Sequence, residues 1–185
     1  MVLRLFDLAL ASSILVLSLP LLIIIFMIGL LDTGSPIFRQ TRVGRHERAF
    51  TLLKFRTMRP DTPSVATHLA SPSAITSFGQ FLRHTKLDEL PQLLNVLRGE
   101  MSLVGPRPCL FSQVELMRER ARLRVTRARP GITGLAQVRG IDMSTPALLA
   151  ETDAAMLRSL GVRAYFRYLY LTALGKGSGD RVRHP

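Results

Sequence analysis

Residues 83–108, RHTKLDELPQLLNVLRGEMSLVGPRP, place two adjacent carboxylates, Asp88 and Glu89, directly ahead of a short helix. Pro91 suits a first helical turn, because proline has a fixed φ and no N–H to lose there, and Gly99 suits the turn after the last helical residue. We therefore predict a helix that begins at Glu89 and ends just before Gly99. Asp88 then lies at or next to the N-cap, where unpaired backbone N–H groups favour an ionised carboxylate by about 0.3–1 kcal/mol.

The same stretch ends on an arginine held between two prolines, in Gly105-Pro106-Arg107-Pro108. A guanidinium on so stiff a backbone is well suited to hold phosphate oxygens. Acids at a helix start are common caps, so the carboxylate pair alone indicates no chemistry. The basic residues on both sides of the pair are what favour a site for a substrate that carries phosphate.

Composition limits the class of protein. The chain has 185 residues, a net charge of +12 and 47% hydrophobic residues, which is enough for one domain with a core beside a membrane segment. A single cysteine, Cys109, excludes an internal disulfide and fits a reducing compartment. The sequence has no zinc-type Cys/His cluster, P-loop or GxGxxG fingerprint, so a metal site would have to use carboxylates.

Residues between Leu8 and Leu31 are almost all apolar. As one straight helix they measure about 36 Å, more than the roughly 30 Å of a hydrocarbon core. Pro20 lies near the middle, and an interior proline kinks or breaks a helix at a cost of about 3 kcal/mol. Each half then reaches only midway into the bilayer, and the Ser18 hydroxyl is placed to satisfy freed carbonyls. The residues alone are compatible both with a helix that spans the membrane and with a re-entrant helix. A cleaved signal peptide is not expected, because the apolar run is too long.

Charges indicate how this segment is oriented. Arg4 precedes it, and arginines follow it at positions 39, 42, 45 and 48. By the positive-inside rule, its C-terminal side faces the cytoplasm. The rule does not decide the side of the N-terminus.

A β-hairpin is predicted after a hinge at residues 32–36. Residues 37–40 lead into a turn at Val43-Gly44-Arg45, and residues 49–55 alternate as a second strand. Lys54 and Arg56 end that strand. They either line a face toward solvent or lipid headgroups, or contact a polyphosphate.

The rest of the chain is mostly helical by pattern. Helices are predicted over residues 74–84, 110–127, 147–160 and 164–174, with a loop over 59–76 and a glycine-punctuated loop that enters a strand over 129–138. The last of these helices is rich in aromatic residues, which suits a helix lying on a bilayer surface.

Three blocks of this sequence resemble a known family. They are LLKFRTM (52–58), TKLDELPQLLNVLRGEMSLVGPRP (85–108) and RARPGITGLAQVRG (127–140). Their order and spacing are similar to those of the bacterial sugar transferases that are small monotopic polyprenyl-phosphate phosphoglycosyl transferases, and the similarity runs from about Arg4 to Leu174. It implies transfer of a phosphosugar from a UDP-sugar to a polyprenyl phosphate such as undecaprenyl phosphate, with release of UMP. Such a reaction is the first membrane step of a cell-surface glycan pathway.

The resemblance also implies roles for individual residues. Asp88 matches the nucleophile that forms a covalent aspartyl-phosphosugar intermediate, and Glu89 matches a ligand of Mg²⁺, the implied cofactor, so both are candidate catalytic and metal-binding residues. The implied substrate contacts are Lys54, Arg56, Arg83, Arg107, Arg129, Gln137 and Asp153. A divalent cation suits this chemistry because it neutralises a diphosphate, and a carboxylate nucleophile needs no base.

The resemblance favours the re-entrant alternative, a helix-break-helix at Ser18 and Pro20 that enters and leaves through the cytoplasmic leaflet of the bacterial inner membrane. We therefore predict an α+β, mostly helical protein in three parts. Residues 1–34 form the re-entrant membrane helix, residues 35–174 a cytosolic catalytic domain with a short hairpin and interfacial amphipathic helices, and residues 175–185 a flexible basic tail.

The sequence departs from the family pattern at several positions. Leu19 stands where many members have serine directly before the proline, Ile141-Asp142 replace an Arg-Asn or similar pair, and Ala155 and Met156 stand where tyrosine is common. The last two departures bear on sugar recognition and leave the carboxylate pair intact. Small members often use N-acetylated or diacetamido UDP-sugars and larger ones hexoses. This chain shows no additional N-terminal membrane helix, which favours the former.

Two other functions compete with this one. A membrane-tethered basic protein that binds anionic lipid or nucleic acid would also use a charge of +12. It predicts basic residues on one face and needs no paired acids, whereas the basic residues here lie in several loops around Asp88 and Glu89. An inactive scaffold is the second competitor, and the intact sequence blocks argue against it. Apart from the uridine nucleotide, we expect no nucleic-acid partner.

Overall fold

Helices arranged around two small strand pairs make up the fold. The computed structural model describes residues 2–62 and 72–177. Its helices are α1 (Val2–Thr33), α2 (Ser77–Thr85), α3 (Gln92–Leu97), α4 (Val114–Arg122), α5 (Leu135–Val138), α6 (Pro146–Ser159) and α7 (Val162–Ala173), and its strands are β1 (Ile37–Val43), β2 (Ala49–Phe55), β3 (Ser102–Val104) and β4 (Gly131–Thr133). The α+β, mostly helical class is confirmed. Residues 63–71 of the predicted loop and 178–185 of the predicted tail lie outside the described residues.

The predicted hairpin is formed by β1 and β2. They pair antiparallel, from Ile37 opposite Phe55 to Val43 opposite Ala49. Arg42 and Lys54 are buried on the hairpin, and so are the apolar side chains of Phe50 and Leu52. The hairpin thus carries two cations into the interior.

A parallel pair, β3 and β4, aligns Ser102 with Gly131 and Val104 with Thr133. Gly131 allows this close approach, because a Cβ there would collide with the backbone of Gly105. The strand predicted in the segment 129–138 is only three residues long, and α5 follows it in place of further strand.

α1 runs without interruption from Val2 to Thr33 with Pro20 inside it. The expected end of the helix at Pro20 is therefore not seen. Proline removes the hydrogen bond to the carbonyl of Val16, but the helical conformation continues on both sides. The Ser18 hydroxyl donates to the carbonyl oxygen of Leu15, at 3.4 Å, rather than to that of Val16.

The N-terminal part of α1 is tied to the domain by polar contacts. Asp7 is buried, and its Oδ1 accepts hydrogen bonds from the hydroxyl of Tyr165, the hydroxyl of Ser102 and the N–H of Leu103, each at 2.9 Å. Arg4 donates to the carbonyl of Val96 at 2.7 Å, at the end of α3. These bonds hold α1 against α3, β3 and α7.

The C-terminal part of α1 packs on the same domain. Ile25 is buried in a cluster with Phe55 of β2 and Leu82 of α2. Asp32, near the end of the helix, accepts a 2.7 Å hydrogen bond from the hydroxyl of Thr76. Between these contacts α1 exposes many large apolar side chains, and among the described helices it alone is long and apolar enough to cross a membrane by length and composition.

The helix expected to begin at Glu89 is divided. A 3₁₀ turn covers Leu87–Glu89, and α3 begins only after Pro91. Pro91 has no N–H to donate to the carbonyl of Leu87, which instead accepts from Leu90 at 3.2 Å. Asp88 therefore lies inside the turn and is not the N-cap of α3.

The remaining helices differ from their predicted bounds to different degrees. α2, α6 and α7 begin and end within three residues of the predicted positions. The helix predicted over 110–127 is shorter, because Arg124 adopts a left-handed conformation with a φ of 60° and a separate 3₁₀ turn follows it.

Candidate active site

The carboxylate pair lies on the 3₁₀ turn that precedes α3. Lys86 enters this turn in the left-handed conformation, with a φ of 59°, and so changes the chain direction after α2. Asp88 is buried, with 5% of its surface exposed. Both carboxylates of this turn nevertheless reach the same cation.

That cation is Lys54, near the end of β2. Its Nζ lies 3.2 Å from Oε1 of Glu89 and 3.9 Å from Oδ2 of Asp88. Lys54 is buried, so its attraction to both carboxylates is screened by water less than that of an exposed pair. The contact brings the hairpin and the carboxylate turn together at one place.

Arg107 approaches the pair from the loop after β3. Its Nη2 lies 3.6 Å from the same Oε1 of Glu89. Lys54 and Arg107 thus converge on one carboxylate oxygen at a pocket, which is lined by Arg42, Leu52, Lys54, Glu89, Gln92, Arg107, Pro108, Gly131 and Ile132. Three of the lining residues, Arg42, Lys54 and Arg107, are cationic, so the pocket suits an anion such as a diphosphate.

Arg42 and Gln92 line this pocket but were not among the predicted site residues. Arg42 pairs across the hairpin with Phe50, four residues before Lys54 on β2. Since side chains two and four residues apart on a strand share a face, the register of the hairpin places Arg42 on the side of Lys54. Gln92 is the first residue of α3, next to Pro91. In the sequence, only its place just after the carboxylate pair indicates that it lines the pocket.

Two further predicted substrate contacts are Arg83 in α2 and Arg56, which directly follows β2. Arg83 donates from Nε to the hydroxyl of Thr57 at 2.8 Å, which ties α2 to the end of β2. Arg56 donates from Nε to the carbonyl of Ser35 at 2.8 Å, and its guanidinium lies over the ring of Phe38. Arg56 therefore contacts the hinge after α1, and the structure gives it no contact with the carboxylate pair.

Arg129 has a contact that the sequence does not indicate. Its Nε donates to the carbonyl of Gly99 at 2.8 Å, just beyond the C-terminus of α3. Partial burial lowers the pKa of Arg129, and the charges of Arg4 and Arg45 act in the same direction. Arg129 thus caps the chain segment that ends α3.

Gln137 and Asp153 are both buried. Neither amide atom of Gln137 has a hydrogen-bond partner among the described residues. Asp153 has no exposed surface, and Arg120 binds its Oδ2 at 2.7 Å. Burial raises the pKa of Asp153, and the charge and hydrogen bonds of Arg120 oppose that shift. The carboxylate of Asp153 thus lies in the interior, and its role as a substrate contact stays a prediction.

Asp88 and Glu89 are the candidate ligands for the implied magnesium ion. The described residues contain no group of three or more His, Cys, Asp or Glu side chains that could hold a metal. Mg²⁺ commonly takes one or two protein carboxylates and completes its octahedron with water and substrate phosphates. Asp88 and Glu89 at a cationic pocket fit this donor set.

Taken together, the fold and the pocket define an α+β protein with a long apolar helix and with a carboxylate pair, Asp88 and Glu89, beside two cations. The sequence matches the family described as "Bacterial sugar transferase" over residues 1–175. The chain belongs to this family.

Three relatives illustrate the similarity. "Uncharacterized sugar transferase EpsL" of Bacillus subtilis (strain 168) is 46% identical over 140 residues, which are 74% of this chain and 68% of the relative. "UDP-glucose:undecaprenyl-phosphate glucose-1-phosphate transferase" of Caulobacter vibrioides is 46% identical over 143 residues, which are 75% of this chain but 54% of the relative. "Exopolysaccharide production protein ExoY" of Rhizobium meliloti (strain 1021) is 39% identical over an aligned length of 197, and the alignment covers 95% of this chain and 87% of the relative. The chain thus spans only about half of the Caulobacter protein.

Proposed function

We propose that the protein transfers a phosphosugar from a UDP-sugar to a polyprenyl phosphate such as undecaprenyl phosphate. The products are a polyprenyl-diphosphate-sugar and UMP. The observation that carries this proposal is the pair of the buried Asp88 and the partly buried Glu89, which meets Lys54 and Arg107 at a cationic pocket. The names of relatives that act on UDP-glucose and undecaprenyl phosphate support the same reaction class.

Asp88 acts as the nucleophile in this proposal. An oxygen of its carboxylate attacks the phosphorus next to the sugar, the bond from that phosphorus to the bridging oxygen breaks, and UMP leaves with that oxygen. The acyl phosphate on Asp88 is then attacked by a phosphate oxygen of the polyprenyl phosphate, which restores the carboxylate. A carboxylate nucleophile splits the transfer into two displacements and lets the soluble and lipid substrates use one site in turn.

The cations of the pocket have distinct roles. Lys54 holds Asp88 and Glu89 in their present positions, and Arg107 offers its guanidinium to phosphate oxygens. Glu89, with Asp88, would hold Mg²⁺, which when bound supplies positive charge against the diphosphate. Arg42 and Gln92 complete the lining that the donor meets.

The contacts of α1 support a re-entrant membrane helix. Residues of its N-terminal half and of its C-terminal part pack on the same domain, through Leu15 on one side and from Leu22 on the other. The segment between those residues measures only about 9 Å, whereas a spanning helix needs about 20 residues in the hydrocarbon core. We infer that α1 dips into the cytoplasmic leaflet of the inner membrane, with a bend where Pro20 removes a backbone hydrogen bond. The site then faces the cytoplasm beside the headgroup plane, where the acceptor's phosphate lies.

The donor sugar is a separate proposal. The resemblance to small family members implies an N-acetylated or diacetamido UDP-sugar as one candidate donor. The names of two of its relatives instead contain glucose and galactose. A panel of UDP-sugars decides between these groups.

The test is release of UMP by the purified protein in detergent, with undecaprenyl phosphate, a panel of UDP-sugars, and either magnesium or EDTA. Magnesium-dependent release from one or two donors, lost in Asp88→Asn, is the expected result. Release from no donor, together with salt-dependent binding of anionic vesicles or nucleic acid, would instead favour a basic binding protein.

A further inference from the structure

The loop that presents Arg107 is held by its carbonyl groups. The N–H groups of Gly131 and Val43 bind the carbonyls of Pro106 and Cys109, at 2.8 and 2.9 Å. The two carbonyls between them are bound by side chains of arginine. Four consecutive carbonyls of this loop therefore have partners, which restricts the backbone on both sides of Arg107.

Arg120 of α4 makes one of these two contacts. Its Nη1 donates to the carbonyl of Arg107 at 2.8 Å. Its Nε and Nη2 donate to Oδ2 of Asp153 in α6, at 3.1 and 2.7 Å. One planar guanidinium thus joins α6 to the loop, a geometry that the single ammonium group of lysine does not reproduce.

Arg42 of β1 makes the other contact. Its Nη1 donates to the carbonyl of Pro108 at 3.2 Å, and its Nη2 donates to Oε1 of Gln40 at 2.6 Å. In both cases a polar side chain orients an arginine, and the arginine binds a carbonyl of the loop. Asp153 and Arg120 are the more deeply buried of these two pairs.

We propose that Asp153 and Arg120 are positioning residues for Arg107. The pair fixes the backbone of Arg107, so that its guanidinium stays beside Glu89 and meets the substrate's phosphate at a fixed place. A buried ion pair contributes little net stability compared with apolar residues of the same shape, so stability alone does not explain this pair. The inference rests on the proposed function and gives Asp153 an indirect role in place of substrate contact.

A double-mutant cycle tests the proposal. We expect Asp153→Asn and Arg120→Lys each to lower kcat/KM for the UDP-sugar by about 10- to 100-fold, because a small displacement of Arg107 spoils its contact. In an Arg107→Ala background we expect less than about a twofold further loss, because the pair acts through Arg107. Equal losses in both backgrounds would overturn the proposal. Arg120→Lys keeps a charge opposite Asp153 and so serves if Asp153→Asn does not fold.

Hydrogen exchange supplies a readout that does not depend on activity. The N–H groups of Val43 and Gly131 bind this loop, so their exchange should quicken in Asp153→Asn. Glu119→Gln is the matched control, because it breaks an exposed ion pair with Arg122 on the same helix. Unchanged exchange at both positions would contradict the proposal. If the wild type releases no UMP, the proposed function fails, and this exchange measurement still decides whether the pair positions the loop.

Discussion

At the scale of single residues, the site depends on Lys54, which lies against both carboxylates. Replacement by methionine keeps most of the side-chain volume but leaves Asp88 and Glu89 without this buried cation. We expect Lys54→Met to lower kcat by about 100- to 1,000-fold, the range for loss of one preorganised electrostatic contact. UMP release under saturating UDP-sugar measures this loss.

Arg56→Met is the matched control for that substitution. Arg56 lies two residues away on the same chain segment, but its guanidinium binds Ser35 and covers Phe38. We expect it to lose much less activity than Lys54→Met. Similar losses in the two variants would contradict the separation of these two cations in the structure.

A second prediction at this scale concerns pH. Burial and the hydrogen bond to Asp7 raise the pKa of Tyr165 far above its usual value. Above the unfolded-state pKa of about 10, the unfolded chain loses this proton and the folded chain keeps it, so stability falls as pH rises. Tyr165→Phe should flatten the fall in melting temperature between about pH 9 and 11. An unchanged pH dependence in the variant would count against this assignment.

The sequence predicts some of these residues better than others. The contact of Lys54 with the carboxylate pair follows from its place at the end of a strand and from the resemblance. The contact of Arg56 with the hinge could not be predicted from the sequence. Arg56 is only two residues from Lys54, and the sequence does not show which of the two side chains reaches the pocket. The sequence also does not indicate that Asp153 is buried. Its partner Arg120 is one of many arginines on a helix whose charged residues suggest a solvent-exposed face.

At the scale of elements, the side chain of Asn95 joins α3 to β2. It has no exposed surface, its Oδ1 accepts from the N–H of Leu53, and its Nδ2 donates to the carbonyl of Thr51 and to Glu100. This bridge sets the turn that carries the carboxylates against the strand that carries Lys54.

Asn95→Ala leaves these buried groups without partners, so we expect it to lower the free energy of unfolding by about 2–4 kcal/mol. Denaturant unfolding in detergent measures the change, with the exposed Gln80→Ala as control. A loss below about 0.5 kcal/mol, as for an ordinary surface substitution, would exclude this role.

Elements were predictable where local chemistry decides them. The hairpin matches its prediction because alternation and a glycine turn specify it within one short segment. The division of the helix at Pro91 was missed because proline suits both a first helical turn and the residue just before one. β4 and α5 depend on the contact of Gly131 with Gly105, which lies far along the chain.

At the scale of the whole molecule, the main question is how α1 meets the membrane. Length and apolar composition are compatible with spanning and with re-entry, so the sequence alone does not decide. The contacts of both its ends with one domain favour re-entry.

Single cysteines test this topology in intact cells, since the native Cys109 is buried. We expect Val2→Cys and Ser35→Cys, at the two ends of α1, both to react with a membrane-impermeant maleimide only after the cells are opened. Both positions are exposed. Labelling of either one from outside intact cells would show that α1 spans the membrane.

The central claim is that Asp88 carries the phosphosugar, and intact-protein mass spectrometry tests it most directly. The protein is mixed with its UDP-sugar and magnesium in the absence of polyprenyl phosphate. We predict a mass increase of one phosphosugar, which peptide mapping places on Asp88 and which undecaprenyl phosphate removes. An adduct that persists in Asp88→Asn, or turnover that needs both substrates at once and forms no adduct, would contradict the account.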